Sequence, residues 1–259
     1  MCELLGMSAS VPTDICFSFT GLTERGGVTG PHTDGWGIVF YEDGGTREFR
    51  DWLPSSRSRI AELVKQYPIH SRIVISHIRQ ANVGAVSLVN THPFTRELWG
   101  KPWTFAHNGQ MKEYRYLPGG FQPIGTTDSE AAFCNLLNRI RSYFAQGPTV
   151  CQELWPIILA FCQECQGEGV FNMLLSQGSF LFCFCSNNLH RYTRKTRQQK
   201  EFLQDVQMEV DLNEGTGQCT TVSVVATQPL TDSKLWQKMQ PGEAVVFKDG
   251  DIVWHHLPD

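Results

Sequence analysis

Cysteine stands at position 2, directly behind the initiator methionine. A small side chain there permits removal of Met1, after which Cys2 carries a thiol and a free α-amine on one residue. An α-amine titrates near about 7.7–8.0, against about 10.4 for a lysine, so part of it is neutral at physiological pH. A neutral amine can take the thiol proton and later protonate a departing amine, while the thiolate acts as nucleophile. The chemistry on offer is acyl transfer from an amide. Alone, Cys2 is equally an ordinary residue at the start of an N-terminal strand.

Five further polar words interrupt otherwise apolar stretches. They are Pro31-His32-Thr33-Asp34-Gly35-Trp36-Gly37, Ser76-His77-Ile78-Arg79-Gln80-Ala81-Asn82, Asn90-Thr91-His92-Pro93-Phe94, Phe105-Ala106-His107-Asn108-Gly109 and Gly125-Thr126-Thr127-Asp128-Ser129-Glu130. Taken singly, each has a plain structural reading. Asn108-Gly109 reads as a turn between strands, and Asp128 as a first-turn acid that suits a helix N-terminus. Arg79 reads less well as a surface residue, because it ends a strand whose Ile73, Val74 and Ile75 look buried. His77 alternates onto the same strand face as Arg79 and reads as a satisfied structural histidine.

Together with Met1-Cys2-Glu3-Leu4-Leu5-Gly6, the ordered words resemble the class II, N-terminal-nucleophile glutamine amidotransferases, and within them the stand-alone YafJ-like group. Phe171-Asn172-Met173-Leu174-Leu175 and Ala226-Thr227-Gln228-Pro229-Leu230 extend the resemblance over essentially the whole chain. It implies an α+β fold, the four-layer αββα sandwich of N-terminal-nucleophile hydrolases, as one domain over 2–259 with its catalytic words within 2–130. It implies that Cys2 attacks the glutamine side-chain amide, with a γ-glutamyl thioester as intermediate and glutamate and ammonia as products. It casts Asn108 and Gly109 as the oxyanion hole, where one donor contributes about 2.7–4 kcal/mol. It casts Arg79, a planar fork suited to a carboxylate, and Asp128 as the partners of the substrate α-carboxylate and α-ammonium, and His92 as a pocket residue that positions substrate. Some family members orient the cysteine through an Arg-Gly word. The region of His32, Asp34 and Trp36 has no such arginine, so Asp34 or the main chain at Gly35 and Trp36 are the candidates for holding the Cys2 amine.

The resemblance also leaves a choice of substrate. Related stand-alone members act on γ-glutamyl amides and peptides in thiol metabolism, and any free γ-glutamyl head group would fit Arg79 and Asp128. A non-catalytic glutamine-binding subunit is the other alternative. The partners expected are glutamine or another γ-glutamyl small molecule and a separate ammonia-accepting synthase; a homodimer is a further expectation.

The elements that must position these words alternate. Gly35–Tyr41, Arg72–Ile78 and Trp103–His107 read as strands, as do Val170–Leu175 and Phe180–Cys185 joined at Gln177-Gly178. Val206, Met208, Val210 and Leu212 alternate with polar residues, a strand with one wet face. Thr221–Thr227 is another strand, and Ala244–Lys248 with Asp251–Trp254 reads as a hairpin over Asp249-Gly250. Phe133, Leu136, Leu137, Ile140 and Phe144 fall on one helical face behind a Thr127/Glu130 capping box. Leu154, Ile157, Ile158, Phe161 and Cys165 mark a second helix, with Pro156 in its first turn and Gly167 just past its end. A shorter helix is expected around Ile60, Leu63 and Val64.

The chain of 259 residues is 41% hydrophobic with a formal charge of −4, a globular balance without general attraction to nucleic acid or acidic membranes. No apolar run is long enough to span a bilayer, and no signal-like segment opens the sequence, so a cytoplasmic location is expected. Nine cysteines are then expected as thiols. Cys162-x-x-Cys165 and Cys183-x-Cys185 lie in apolar stretches and read as buried thiols rather than zinc ligands. Arg191, Arg194, Lys195, Arg197 and Lys200 read as a solvated loop. No dinucleotide or P-loop word is present, so neither cofactor nor metal is expected.

Overall fold

The computed structural model describes residues 2–81, 84–112, 114–195, 200–206, 208–211 and 220–258. In chain order the elements are β1 (Glu3–Asp14), α1 (Cys16–Glu24), β2 (Trp36–Glu42), β3 (Gly45–Asp51), α2 (Arg59–Gln66), β4 (His70–Ile78), β5 (Phe94–Leu98) and β6 (Lys101–Met111). Then follow α3 (Asp128–Tyr143), α4 (Leu154–Glu168), β7 (Gly169–Ser176), β8 (Leu181–Phe184), β9 (His190–Arg194), β10 (Lys200–Leu203) and β11 (Met208–Asp211). The chain closes with β12 (Val222–Ala226), β13 (Gln237–Lys238), β14 (Ala244–Lys248) and β15 (Asp251–His256).

Two antiparallel sheets carry the fold. One has seven strands in the order β13-β9-β12-β1-β4-β2-β3, the other six in the order β15-β14-β8-β7-β6-β5. Because strand side chains alternate, each sheet has two apolar faces to cover. The inner faces meet over Leu4, Ile75, Ala106, Leu174, Leu181, Val225 and Val245. The outer face of the seven-stranded sheet packs Leu5, Trp36, Ile38 and Phe40 under Phe19 and Leu22 of α1 and Ala61 and Val64 of α2. The outer face of the other packs Phe105, Phe171 and Phe182 under Phe133 and Leu137 of α3 and Ile158 and Phe161 of α4. The architecture is therefore the expected αββα sandwich.

Local expectations hold where short-range chemistry decides them. Thr127 caps α3 by accepting the Glu130 N–H. Asp249 and Gly250 take φ of 50° and 80° and close the β14–β15 hairpin, the left-handed pair that the twist of two strands prefers. Pro156 falls in the first turn of α4, as expected. Three expectations need correction. Gly167 lies inside α4, and Gly169, with φ 158°, follows the helix instead. Val206 sits in the turn before β11, whereas Gln207 and Leu212 lie outside the described residues. The basic stretch is not all loop: Arg191 and Arg194 belong to β9, with Arg194 buried, and Arg197 lies outside the described residues. Helix α1 was not anticipated, because its Ile15 cap position makes no side-chain hydrogen bond, no acid stands in its first turn and no base in its last.

Tyr41 of β2 is a bond between the sheets. Its hydroxyl lies 3.0 Å from the Pro102 carbonyl and 2.9 Å from the Ser176 carbonyl of the facing sheet. Burial pushes its phenol well above the usual tyrosine range. Tyr41→Phe should lower unfolding free energy by about 1–3 kcal/mol, since buried carbonyls lose their donor. Denaturant titration should show a lower midpoint at unchanged slope; an unchanged midpoint would mean the hydroxyl bonds do not hold the sheets together.

Candidate active site

The words that the sequence singled out converge at one end of the sandwich. Cys2, Arg79, Gln80, Ala81, His92, His107, Gly109, Gln110, Thr127, Asp128 and Ser129 line one pocket, with room for about 30 Å³. The topology explains the convergence. Cys2 directly precedes β1, Arg79 follows β4, and these two strands pair antiparallel from Glu3↔Ile78 onward. From the other sheet, β6 brings His107 to Gln110 to the same end, and α3 starts beside it.

The Cys2 sulfur touches the main chain of Gln80. It accepts the Gln80 N–H at 3.3 Å and donates to the Gln80 carbonyl at 3.4 Å. Burial pushes the thiol up, against the Gln80 N–H and the Arg79 guanidinium, which pull it down. At rest the group is therefore a thiol that needs a base. Burial also acts on other thiols: Cys162 and Cys183 are fully buried and pushed well up, Cys165 to about 12, and Cys134 and Cys185 to about 11.

Asn108 is buried on β6 with its side chain turned toward the opposite sheet. Its Nδ2 lies 3.4 Å from the Thr227 hydroxyl, which also accepts the Leu4 N–H at 2.8 Å. Its Oδ1 is buried without a hydrogen-bond partner. Which end is oxygen follows from the network rather than from the positions of the atoms. With the amide turned over, Thr227 donates to Oδ1 and the two N–H donors of Nδ2 face the unpartnered side. An oxyanion site needs that orientation. Gly109 follows, and strand alternation directs its N–H. Met111 gives its N–H to Asp128 Oδ2 at 2.9 Å, away from β7, and Gly109 lies two residues earlier on the same edge of the strand. β5 pairs only with residues 101–105 of β6, so past its end that edge is open. A Cβ at Gly109 would meet the Val170 carbonyl oxygen at 1.8 Å, so strand packing alone already demands glycine here.

Arg79 is buried, and its fork donates to the Ala85 carbonyl at 3.1 Å and the Gly84 carbonyl at 3.3 Å. Asp128 opens α3, and its other oxygen accepts the Ser129 N–H at 2.8 Å. Asn90 fastens the two together. It donates to the Ala85 carbonyl and the Thr126 hydroxyl, and accepts the Thr126 N–H at 2.9 Å. His107 stands behind Asp128. Its Nε2 faces the Val170 carbonyl at 3.1 Å and must carry the proton, so Nδ1 accepts from the Ser129 hydroxyl at 2.8 Å. Burial holds His107 below the usual imidazole range, against the pull of Asp128. His92 is buried and lines the pocket, packed between His77 and Phe94 with ring centroids at 4.3 and 4.4 Å.

His77 is fully buried on β4, its ring beside the His92 ring and the His107 main chain. Asp34 holds the segment after Arg79: its carboxylate accepts the Ala81 N–H at 2.7 Å, and the Gly35 carbonyl accepts the Arg79 N–H at 2.8 Å. One buried arginine near the chain start was not singled out by the sequence reading. Arg25 bonds the Glu3 carboxylate at 3.0 Å, the Asp205 carboxylate at 2.9 Å and the Pro229 carbonyl at 2.7 Å. It thereby anchors the residue after Cys2. Burial pushes the Glu3 carboxyl up, and Arg25 and His32 oppose it. Among the described residues no three His, Cys, Asp or Glu side chains converge as metal ligands, and no helix is long and apolar enough to cross a membrane.

Comparison with known proteins agrees with this geometry. The sequence model described as glutamine amidotransferases class-II matches residues 1–259. The Escherichia coli K12 protein named "Putative glutamine amidotransferase YafJ" is 53% identical over 254 residues, which cover 98% of this chain and 100% of that protein. A solved structure titled "predicted glutamine amidotransferase from Pseudomonas aeruginosa PA01" has TM-score 0.80 at 49% identity, covering 98% of this chain and all of that one. The glutamine phosphoribosylpyrophosphate amidotransferase of B. subtilis has TM-score 0.62 at 13% identity over 98% of this chain and 49% of its own, and so shares the fold.

The balance of charges around Cys2 is open to titration. In the chain that keeps Met1, iodoacetamide should alkylate Cys2 with a pH midpoint above the about 8.5 of a free thiol, read by peptide mass. A midpoint below that value would show that Arg79 and the Gln80 N–H outweigh burial.

Proposed function

The chain belongs to the class II glutamine amidotransferases, enzymes that take the side-chain amide of glutamine, and from that premise we propose that it does so through Cys2. Once Met1 is removed, the Cys2 amine takes the thiol proton and the sulfur attacks the γ-carboxamide carbon. Asn108 Nδ2 and the Gly109 N–H receive the oxyanion. The ammonium just formed protonates the leaving nitrogen, ammonia departs and a γ-glutamyl thioester remains; water then releases glutamate and restores the thiol. Arg79 holds the substrate α-carboxylate and Asp128 the α-ammonium, each charge-assisted contact contributing about 1.5–3 kcal/mol. His92 borders the bound substrate. The pocket is narrow, so glutamine has to push its wall outward on binding.

The single observation that carries this reading is the placement of Cys2, Arg79, Gly109 and Asp128 around one pocket. A thiol kept protonated by burial suits a mechanism in which an amine on the same residue removes the proton at the moment of attack. The same head-group contacts suit other γ-glutamyl amides and peptides, which makes them the second reading, with water as acyl acceptor in both. A separate synthase would be the consumer of ammonia.

The experiment is an ammonia assay on Met-processed protein with glutamine, γ-glutamyl peptides and asparagine. Glutamine or a γ-glutamyl compound should be turned over and asparagine should not. Cys2→Ala should abolish turnover, and Asn108→Ala should lower kcat about 10²–10³-fold. Turnover surviving in Cys2→Ala, or an unchanged kcat in Asn108→Ala, would overturn the corresponding role.

A further inference from the structure

Two of the sequence words have no part in the mechanism above, Phe171-Asn172-Met173-Leu174-Leu175 and Ala226-Thr227-Gln228-Pro229-Leu230. Each puts a buried polar side chain against Asn108. Asn172 is fully buried and Thr227 is 3% exposed. Asn172 faces Asn108 across the β6–β7 pair, and its Nδ2 donates to the Asn108 carbonyl at 3.0 Å. Its Oδ1 accepts the N–H groups of Ser186, Asn187 and Asn188 at 3.0, 3.2 and 3.3 Å. Those donors are main chain and cannot exchange roles, so the Asn172 amide has one orientation. Asn188 in turn donates to the Thr227 carbonyl at 3.0 Å. One loop thus ties the main chain of Asn108 to the main chain of Thr227.

The side chain of Asn108 is fixed differently. One end of its amide lies 3.4 Å from the Thr227 hydroxyl, and the other end is buried without a partner. The hydroxyl already accepts the Leu4 N–H at 2.8 Å, so its own proton remains to be placed. A hydroxyl has a single proton to donate, and the Asn108 amide is the remaining partner of this one among the described residues. With Nδ2 toward Thr227, three donors would crowd one oxygen and the amide oxygen would be orphaned. With Oδ1 toward Thr227, the hydroxyl proton finds an acceptor and both Nδ2 protons point to the unpartnered side. A buried donor left open in this way is prepared for a charge that appears only during reaction.

We propose that Thr227 is the positioning residue that turns the Asn108 amide, so that Nδ2 and not Oδ1 meets the oxyanion, while Asn172 holds the Asn108 main chain in place for it. The proposal rests on the oxyanion reading of Asn108 above. A hydroxyl that donates to Oδ1 also draws electron density from the amide nitrogen, which strengthens Nδ2 as a donor. The oxyanion exists only around the tetrahedral state, so losing this contact should appear in kcat and not in KM. Arg79 and Asp128, the partners proposed for the substrate head group, make none of these bonds.

Thr227→Val keeps the β-branched shape of the side chain and removes the hydroxyl. In ammonia release from glutamine by Met-processed protein, it should lower kcat about 10–100-fold and leave KM near the wild-type value. Thr227→Ser, which restores the hydroxyl, should recover most of the loss. Combined with Asn108→Ala, the two losses should not multiply, because the amide that Thr227 orients is gone. A wild-type kcat in Thr227→Val would overturn the proposal, as would a loss confined to KM or no recovery in Thr227→Ser. Losses that multiply in the double variant would also overturn it, since the hydroxyl would then act through Leu4 and β1 instead. If circular dichroism shows Thr227→Val unfolded, Thr227→Cys, with a thiol of similar size and weak donor strength, carries the same comparison with the same outcomes. A wild-type kcat in Asn108→Ala alone would instead overturn the oxyanion reading itself, and this proposal with it.

Discussion

The hydroxyl of Thr227 joins the two halves of the site. It receives the Leu4 N–H, and the Leu4 carbonyl in turn receives the Thr227 N–H at 3.1 Å, so the strand that follows Cys2 is pinned at its second residue. The same hydroxyl meets the Asn108 amide of the opposite sheet. The proposed nucleophile on one sheet and the proposed oxyanion donor on the other can work together only if the sheets keep a fixed spacing. The inner core of Leu4, Ile75, Ala106, Leu174 and Val225 supplies that spacing, and this one side chain turns it into a polar link within reach of the chemistry.

Around this link the structure sets charge by burial. Burial pushes the thiol up and the three histidines beside the pocket down, while Arg79 and Asp128 each hold main-chain partners. That combination suits recognition of a zwitterion: one cation and one anion, held rigidly apart by Asn90 and by the start of α3. Neutral surroundings also leave the acid–base work to the group carried by the cysteine itself. Glu3 and Arg25 sit on the other face of the same strand, where their buried ion pair fixes the chain end. Removing one partner of such a pair typically costs about 3–5 kcal/mol.

Much of the site was legible because its residues are clustered in short words with glycine, proline or asparagine at their turns. Cys2, Arg79, Gly109, Asp128 and His92 reach one pocket, and Asn108 stands beside it. The α3 cap and the Asp249-Gly250 turn were equally readable, since both depend on neighbours within a few residues. What stayed hidden depends on distant partners. Arg25 meets Asp205 across 180 residues, and nothing local marks it as buried. Helix α1 has weak ends and is held by its packing on β1 and β2. Whether His77 has a hydrogen-bond partner is a property of the folded interior, and period-two alternation places its side chain without saying what it meets. Gly167 misled because a glycine inside the last helical turn looks, in one dimension, like the glycine that follows a helix.

The account stands on a covalent bond between substrate and the sulfur of residue 2. The most direct measurement is peptide mass spectrometry of Met-processed protein quenched in acid during steady-state turnover of glutamine. The account predicts a γ-glutamyl group on the N-terminal peptide, lost on treatment with hydroxylamine and absent from every other cysteine. An adduct on a different cysteine, or full-rate ammonia release with the N-terminal peptide never modified under conditions that trap thioesters, would contradict it.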